Sequence, residues 1–175
     1  MPVEEYLTQL FRHSHTEATG ARIHSQFEEN LREGDPTVGV LGLYCCEQFA
    51  GGITYGHRPL PHRPEFYSAR LDTVLTVGKY REVGLGSVLM AGLFNHSVLT
   101  LGDRLRHYST IAMHPNVGHY VSRFGFTSLA HGDTPLYSLC LEDAEARDKF
   151  YAAATLDYKK RMQSFRSKCL DLLYL

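Results

Sequence analysis

Residues 65–88 read EFYSARLDTVLTVGKYREVGLGSV, and a change of period inside this stretch constrains the fold more than any other feature of the chain. Up to Val77 the stretch is apolar and β-prone. After Ser87 the apolar side chains return at three- and four-residue steps, as Leu89, Met90, Leu93, Phe94 and Val98, and stop at Gly102. A strand therefore runs straight into a helix across a glycine-bearing junction. Gly84 and Gly86 let the backbone turn so that successive N–H groups point the same way. The helix N-terminus adds about half a positive charge. Together they make a cradle for an anion, and phosphate is the usual guest. Lys79 and Arg81 add side-chain charge beside it.

Two well-known phosphate motifs do not fit. A P-loop needs Gly-Lys-Ser/Thr, whereas Ser87 follows Gly86 with no lysine between. A dinucleotide fingerprint needs a third glycine where Leu89 stands.

The rest of the chain supplies a context for the junction. Residues 4 to 33 carry helical spacing, with Tyr6, Leu7, Leu10 and Phe11 on one face and Ile23, Phe27 and Leu31 at four-residue steps. From Thr37 the pattern turns β-prone, and TVGVLGLYCCEQ and FAGGITYGH read as an antiparallel hairpin. RPLPHRP, residues 58 to 64, holds three prolines and is expected to be a loop. Beyond the junction helix come a strand in RHYSTIAMH, a short helix in NVGHYVSRFGF closed by Gly125, and two strands in TSLAHGDTPLYSLCLE. The order is α/β with a mixed sheet.

VGKYREVGLGSVLM resembles the acyl-CoA pyrophosphate loop of the GNAT superfamily of N-acetyltransferases, whose signature is Arg/Gln-x-x-Gly-x-Gly/Ala. Arg81, Gly84 and Gly86 match its three fixed positions, Val77 a frequent valine at the strand end, and Tyr80 a frequent aromatic. HPNVGHYVSRFGF is similar to the strand, short helix and Gly-Phe segment that follows in that family, and the element order over 37–142 agrees. Two departures stand out. The family often carries a tyrosine four residues before the Gly-Phe glycine, where this chain has Val121. Tyr120 lies one position earlier, about 100° around a helix. The family also usually begins with a strand, where helices are expected here.

The resemblance implies a GNAT-like fold and direct transfer of an acyl group from acetyl-CoA to a small-molecule or protein amine. It implies a cofactor-binding set of Leu75, Thr76, Val77, Arg81, Glu82, Val83, Gly84, Leu85, Gly86, Ser87 and Asn116. The main chain of 81–86 and the Ser87 hydroxyl would hold the pyrophosphate, and the strand edge near Leu75 and Val77 would pair with pantetheine. A backbone N–H there would face the charge that builds on the thioester oxygen. Asp72 is the candidate base for the amine, with Glu65 behind it, and an ion pair with Arg70 is the competing use of that carboxylate. Tyr120 is the candidate acid for the leaving thiolate, with His119 and Ser122 as fallbacks and core packing as the competing role.

Formal net charge is −1, which gives no global attraction to nucleic acid or anionic membrane. No apolar run is read as a membrane span, the N-terminus has no signal-like core, and a cytoplasmic location is expected. Cys45, Cys46, Cys140 and Cys169 lack a CxxC spacing, and the ten histidines lack the partners of a zinc signature, so no metal is expected. From Asp143 a stripe of Phe150, Ala154, Tyr158, Met162, Phe165, Cys169 and Leu172 runs without glycine or proline. It reads as one long amphipathic C-terminal helix, about 45 Å over 30 residues, or as two in line. This divides the chain into residues 1–142 and an extension, 143–175, expected to form a homodimer. A catalytically silent module that binds CoA or a protein is the alternative function. An RNA-associated acyltransferase using the basic tail DYKKRMQSFRSK is a third.

Overall fold

The structure, a computed structural model, describes residues 37–45, 48–76, 84–111, 115–129 and 135–171. The expected N-terminal helices, and Val77, Arg81, Glu82 and Val83 of the junction, lie outside these residues.

The expected hairpin is present. Strand β1, Val38–Cys45, pairs antiparallel with β2, Gln48–Leu60, from Val38 opposite Gly56 to Cys45 opposite Gln48. The proline-rich stretch is not the loop expected. β2 runs through Pro59 to Leu60, turns over Pro61 and His62, and returns as β3, Arg63–Thr76, with Leu60 opposite Arg63. The sheet tolerates these prolines because each has a free side there: β1 covers β2 only as far as Gly56, and β4 joins β3 only from Tyr67. A proline facing an open edge removes no ladder hydrogen bond.

Helix α1, Leu85–Leu101, then crosses to β4, Leu105–Ile111, which lies parallel to β3. Gly102, at φ 49°, ends α1, as its place after the last apolar repeat predicts. Helix α2, Pro115–Ser122, leads to β5, Thr127–Leu129, and β6, Leu136–Cys140. The described strands form one mixed sheet in the order β1-β2-β3-β4-β6-β5.

The core lies on the face of the sheet that carries α1. Phe94, fully buried at the middle of α1, has the rings of Tyr108, Tyr120, Phe124, Phe126 and Phe150 within 6.0 Å, centroid to centroid. One side chain thus ties β4, α2 and the C-terminal helix to the same centre. The stretch Leu85–Arg104 is, by length and composition, apolar enough to cross a membrane, contrary to the reading of the sequence. Half of it is buried inside the fold, the pattern of a helix packed on a sheet.

The C-terminal helix α3, Ala144–Asp171, is as long as its periodicity predicts. Its stripe is used within the chain: Phe150, Ala154 and Phe165 are buried in the same cluster as Leu93 and Phe94. The helix therefore lies against the chain's own core at these three positions. Tyr158 and Met162 of the same stripe are partly exposed.

Candidate functional site

The site begins where two strands part. β3 and β4 stay in register from Tyr67 opposite Leu105 to Leu71 opposite Thr110. β3 then runs on to Thr76, held by β2 alone, with Val74 opposite Ile53 and Thr76 opposite Gly51. Among the described residues, 72–76 therefore have no strand on the β4 side, which leaves one row of main-chain groups unpaired by them. Leu75 lies in this stretch, as expected for a strand that offers its edge to an extended ligand.

The parting coincides with a β-bulge. Thr54 faces Thr73 and Tyr55 faces Leu71, which leaves Asp72 as the extra residue. A bulge adds twist and re-aims the side chain it carries. Asp72 is turned to the face opposite α1, where its Oδ1 stands 2.5 Å from Arg70 Nε. Its Oδ2 is buried with no hydrogen-bond partner. Burial pushes the Asp72 carboxyl above its ordinary range, and Arg70 and Arg58 oppose that shift without cancelling it. The competing use of this carboxylate, the ion pair with Arg70, is present, and the group is at the same time inclined to hold a proton. Glu65 lies near the other end of β3 and is no part of this arrangement.

The helix that follows opens without a cap. Gly84 takes the left-handed conformation, φ 78° and ψ 24°, and its carbonyl accepts from Ser87 N at 3.1 Å and Val88 N at 3.3 Å. No side chain caps α1, and no acidic residue stands in its first turn. Helix geometry gives the N–H groups of Leu85 and Gly86 no acceptor within the helix. They project from the end of a 17-residue dipole.

In front of that end lies a cavity of about 530 Å³ lined by Val74, Thr76, Gly84, Gly86, Ser87, Met90, Asn116 and Val117. Five residues expected to hold the coenzyme are brought together here: Thr76, Gly84, Gly86, Ser87 and Asn116. Leu85 contributes main chain only, because its side chain is fully buried in the core. Asn116 is in the first turn of α2, after Pro115, and so is not the cap of that helix. The opposite wall is apolar, and its Val74, Met90 and Val117 were not singled out from the sequence. They lie one turn or one strand step from the motif, and only the assembled fold turns them inward.

Tyr120 is not in this cavity. Its hydroxyl donates to Asp157 Oδ2 at 2.7 Å, and Arg161 Nε reaches the same oxygen at 2.6 Å while its guanidinium lies 4.9 Å from the centre of the Tyr120 ring. Burial and the nearby Asp157 raise its pKa well beyond the ordinary tyrosine range. The expected acid is instead a bolt between α2 and α3. Val121, one position on, is fully buried in the same core and does not line the cavity either. Of the fallback donors, Ser122 Oγ donates to the Gly118 carbonyl at 2.8 Å, and His119 is exposed on the outer side of α2. Among the described residues no three His, Cys, Asp or Glu side chains gather as a metal site would require.

No family model matches this sequence, and no curated protein does. Solved structures resemble the fold. An acetyltransferase described as of the GNAT family, from Desulfovibrio desulfuricans, is 20 % identical with a TM-score of 0.53, over 73 % of this chain and 84 % of that one. A protein from Staphylococcus epidermidis described as an acetyltransferase is 10 % identical with a TM-score of 0.56, over 79 % and 92 %. A variant of the AtaT toxin, bound to the C-terminus of the antitoxin AtaR and acetyl-CoA, is 15 % identical with a TM-score of 0.54, over 86 % and 90 %. The chain therefore has the mixed α/β fold of GNAT acetyltransferases.

Proposed function

We propose that the chain is an acyl-CoA-dependent N-acyltransferase, which moves an acetyl or other short acyl group from acyl-CoA to an amine by direct transfer. The observation that carries this reading is the uncapped, acid-free start of α1 opening into the cavity between Thr76, Ser87 and Asn116. Its volume falls in the range of pockets that take cofactors. The N–H groups at Leu85 and Gly86 would bind the pyrophosphate, with Ser87 as a hydroxyl donor. Arg81 and the main chain at Glu82 and Val83 belong to this proposal through the motif alone, as does Val77.

The pantetheine arm is extended and amide-bearing, and the open edge of residues 72–76 suits it. The acceptor amine would come from the other side of the parted strands, where Asp72 lies. A carboxyl with a raised pKa is a better base than an ordinary one, because its conjugate acid is weaker. Asp72 would take the proton that the attacking nitrogen sheds. The AtaT complex, in which that protein holds acetyl-CoA, supports the same choice of coenzyme here.

One observation favours a second reading, a silent module that binds CoA: Tyr120, the expected acid, is committed to Asp157. Isothermal titration with acetyl-CoA and CoA tests the site. Release of free thiol from acetyl-CoA across a panel of amines separates the two readings. Micromolar binding with amine-dependent thiol release is the expected result. No binding of either coenzyme would overturn both readings, and binding with no release from any amine would leave the silent module.

A further inference from the structure

We propose that Tyr137, with Thr110 beside it, forms the polar inner end of the groove and donates a proton to the coenzyme sulfur. This inference rests on the coenzyme binding proposed above. It concerns two residues that no motif in the sequence marks.

The placement follows from register. Leu71, Thr110 and Tyr137 are directly opposite one another across β3, β4 and β6, so their side chains share a face. That face carries α1 and α2, and Leu71 opposite Thr110 is the last pair before β3 and β4 separate. The row lies one step inward of Val74, beyond the residues that line the cavity, so a ligand chain following the edge of β3 inward would run toward it.

The two hydroxyls there are available. Thr110 is 1 % exposed, and its Oγ1 is buried with no hydrogen-bond partner. A buried hydroxyl left unpaired costs about 1–3 kcal/mol, so such a group points to something that pairs with it. Tyr137 is half-buried, and its phenol crosses from the sheet to α2, where the hydroxyl rests against Gly118. A β-carbon at position 118 would collide with that oxygen, so glycine is required for the hydroxyl to stand there. Gly118 follows Val117 and Asn116, which line the cavity. The other tyrosines of this core are engaged: Tyr120 donates to Asp157, and Tyr108 OH is 3.4 Å from Ser97 Oγ. Among the described residues the Tyr137 hydroxyl has no hydrogen-bond partner.

The chemistry balances without a further reactant. The amine lone pair forms the C–N bond, and the C–S bond breaks with its electrons on sulfur. Sulfur takes the Tyr137 proton. The nitrogen gives one proton to Asp72, and from there it passes to solvent, which reprotonates the phenolate. Donor and base thus stand on opposite faces of the sheet, at the rung where the strands part.

The test uses the intact protein and CoA itself, so it needs no acceptor. The thiol of bound CoA is titrated through the ultraviolet absorbance of its thiolate. A hydrogen bond donated to the thiolate stabilises it, so CoA bound to the native protein should titrate below free CoA. Tyr137→Phe, which keeps the ring over Gly118, should raise the midpoint by about one pH unit, from the strength of a hydrogen bond to a charged group. Its CoA affinity at neutral pH should change by less than about threefold, since the thiol is protonated there. If Tyr137→Phe binds CoA normally and titrates as the native protein does, this proposal fails while the coenzyme site stands. If the native protein binds no CoA, both fail. Should Tyr137→Phe not fold, Thr110→Val, which keeps the shape of the side chain, and the comparison of bound with free CoA decide. No lowering of the midpoint in the native complex overturns the proposal.

Discussion

The two glycines of the junction have different physical tasks, and substituting them separately tests the proposed site. Gly84 has φ 78°, and nothing stands within 4 Å of the point where a β-carbon would be. Alanine fits there in space but not in conformation, at a cost of about 1 kcal/mol for a left-handed non-glycine residue. Gly86 is in the first turn of α1, and a β-carbon there would be 3.8 Å from Thr76 Cγ2 and 4.0 Å from Val74 Cγ1, ordinary contact distances. Alanine at 86 is therefore free of strain and favoured in a helix by up to about 1 kcal/mol. Its methyl group, however, projects into the cavity between Val74 and Thr76 and obstructs the approach of a phosphate to the main chain. Losing one charge-assisted hydrogen bond costs about 2 kcal/mol, which is roughly a thirty-fold weaker Kd. Gly84→Ala should thus lower Tm by about 2–4 °C. Gly86→Ala should leave Tm unchanged or slightly higher and weaken acetyl-CoA about thirty-fold. Thermal melts and isothermal titration on the two variants read both effects. If Gly86→Ala is folded and binds acetyl-CoA within threefold of the native protein, the phosphate does not rest on this turn.

Further expectations follow from the other side chains. Asp72→Asn should lower kcat/KM by about a hundredfold or more and remove the acidic limb of its pH profile, with acetyl-CoA affinity retained; an unchanged profile excludes Asp72 as the base. Tyr120→Phe should cost about 1–3 kcal/mol in denaturant unfolding through loss of its bond to the Asp157 carboxylate, with CoA affinity and turnover unaltered. His57 is buried with Nε2 3.0 Å from Ser97 Oγ, and burial, reinforced by His96, holds its pKa at about 4 against 6.5 unfolded. The folded state keeps it neutral while the unfolded chain takes up a proton below pH 6.5, so its contribution is intact above 6.5 and is lost as pH falls toward 4. The loss amounts to about 3 kcal/mol at most, and His57→Gln should flatten Tm against pH across that window. Phe150→Ala should cost about 3–5 kcal/mol, and truncation after residue 143 should leave an insoluble chain; a soluble, stable 1–143 fragment would show that α3 is an accessory.

Most of the fold was legible in the sequence because it depends on local periodicity. The hairpin, the strand entering the junction, α1 with its stop at Gly102, and α2 with its turn at Gly125 all announce themselves by spacing and by glycine. The failures share a cause. The prolines of residues 58–64 read as a loop because a proline removes a donor, yet whether that donor is needed depends on which neighbouring strand reaches that far. β1 stops short at Gly56, and only pairing reveals it. The seat of Phe150 in the core was not legible either, because a helix of such length exceeds a small domain. Yet Phe94 leaves room for Phe150 beside it, and that vacancy is a property of three elements together.

The site divides along the same line. An anion cradle is made of main chain and so is written in glycine spacing, whereas a proton donor needs only to arrive, from any element, within reach of one atom. Tyr120 and Tyr137 make the contrast. The first is close to the Gly-Phe segment in sequence, and its hydroxyl is held by Asp157 of α3, away from the cavity. The second is 17 positions further on, in a strand, and comes to the groove only because β6 pairs with β4 with Tyr137 opposite Thr110. Gly118 is the sole local sign of that arrival, and in the sequence it is indistinguishable from a weak helix residue. If Tyr137→Phe shifts the CoA thiol as proposed, proton transfer has been relocated between elements while the proposed phosphate cradle stayed in place. On this view the Val121 position is a transfer of the donor to β6, and a departure from the family's tyrosine does not by itself imply a silent protein.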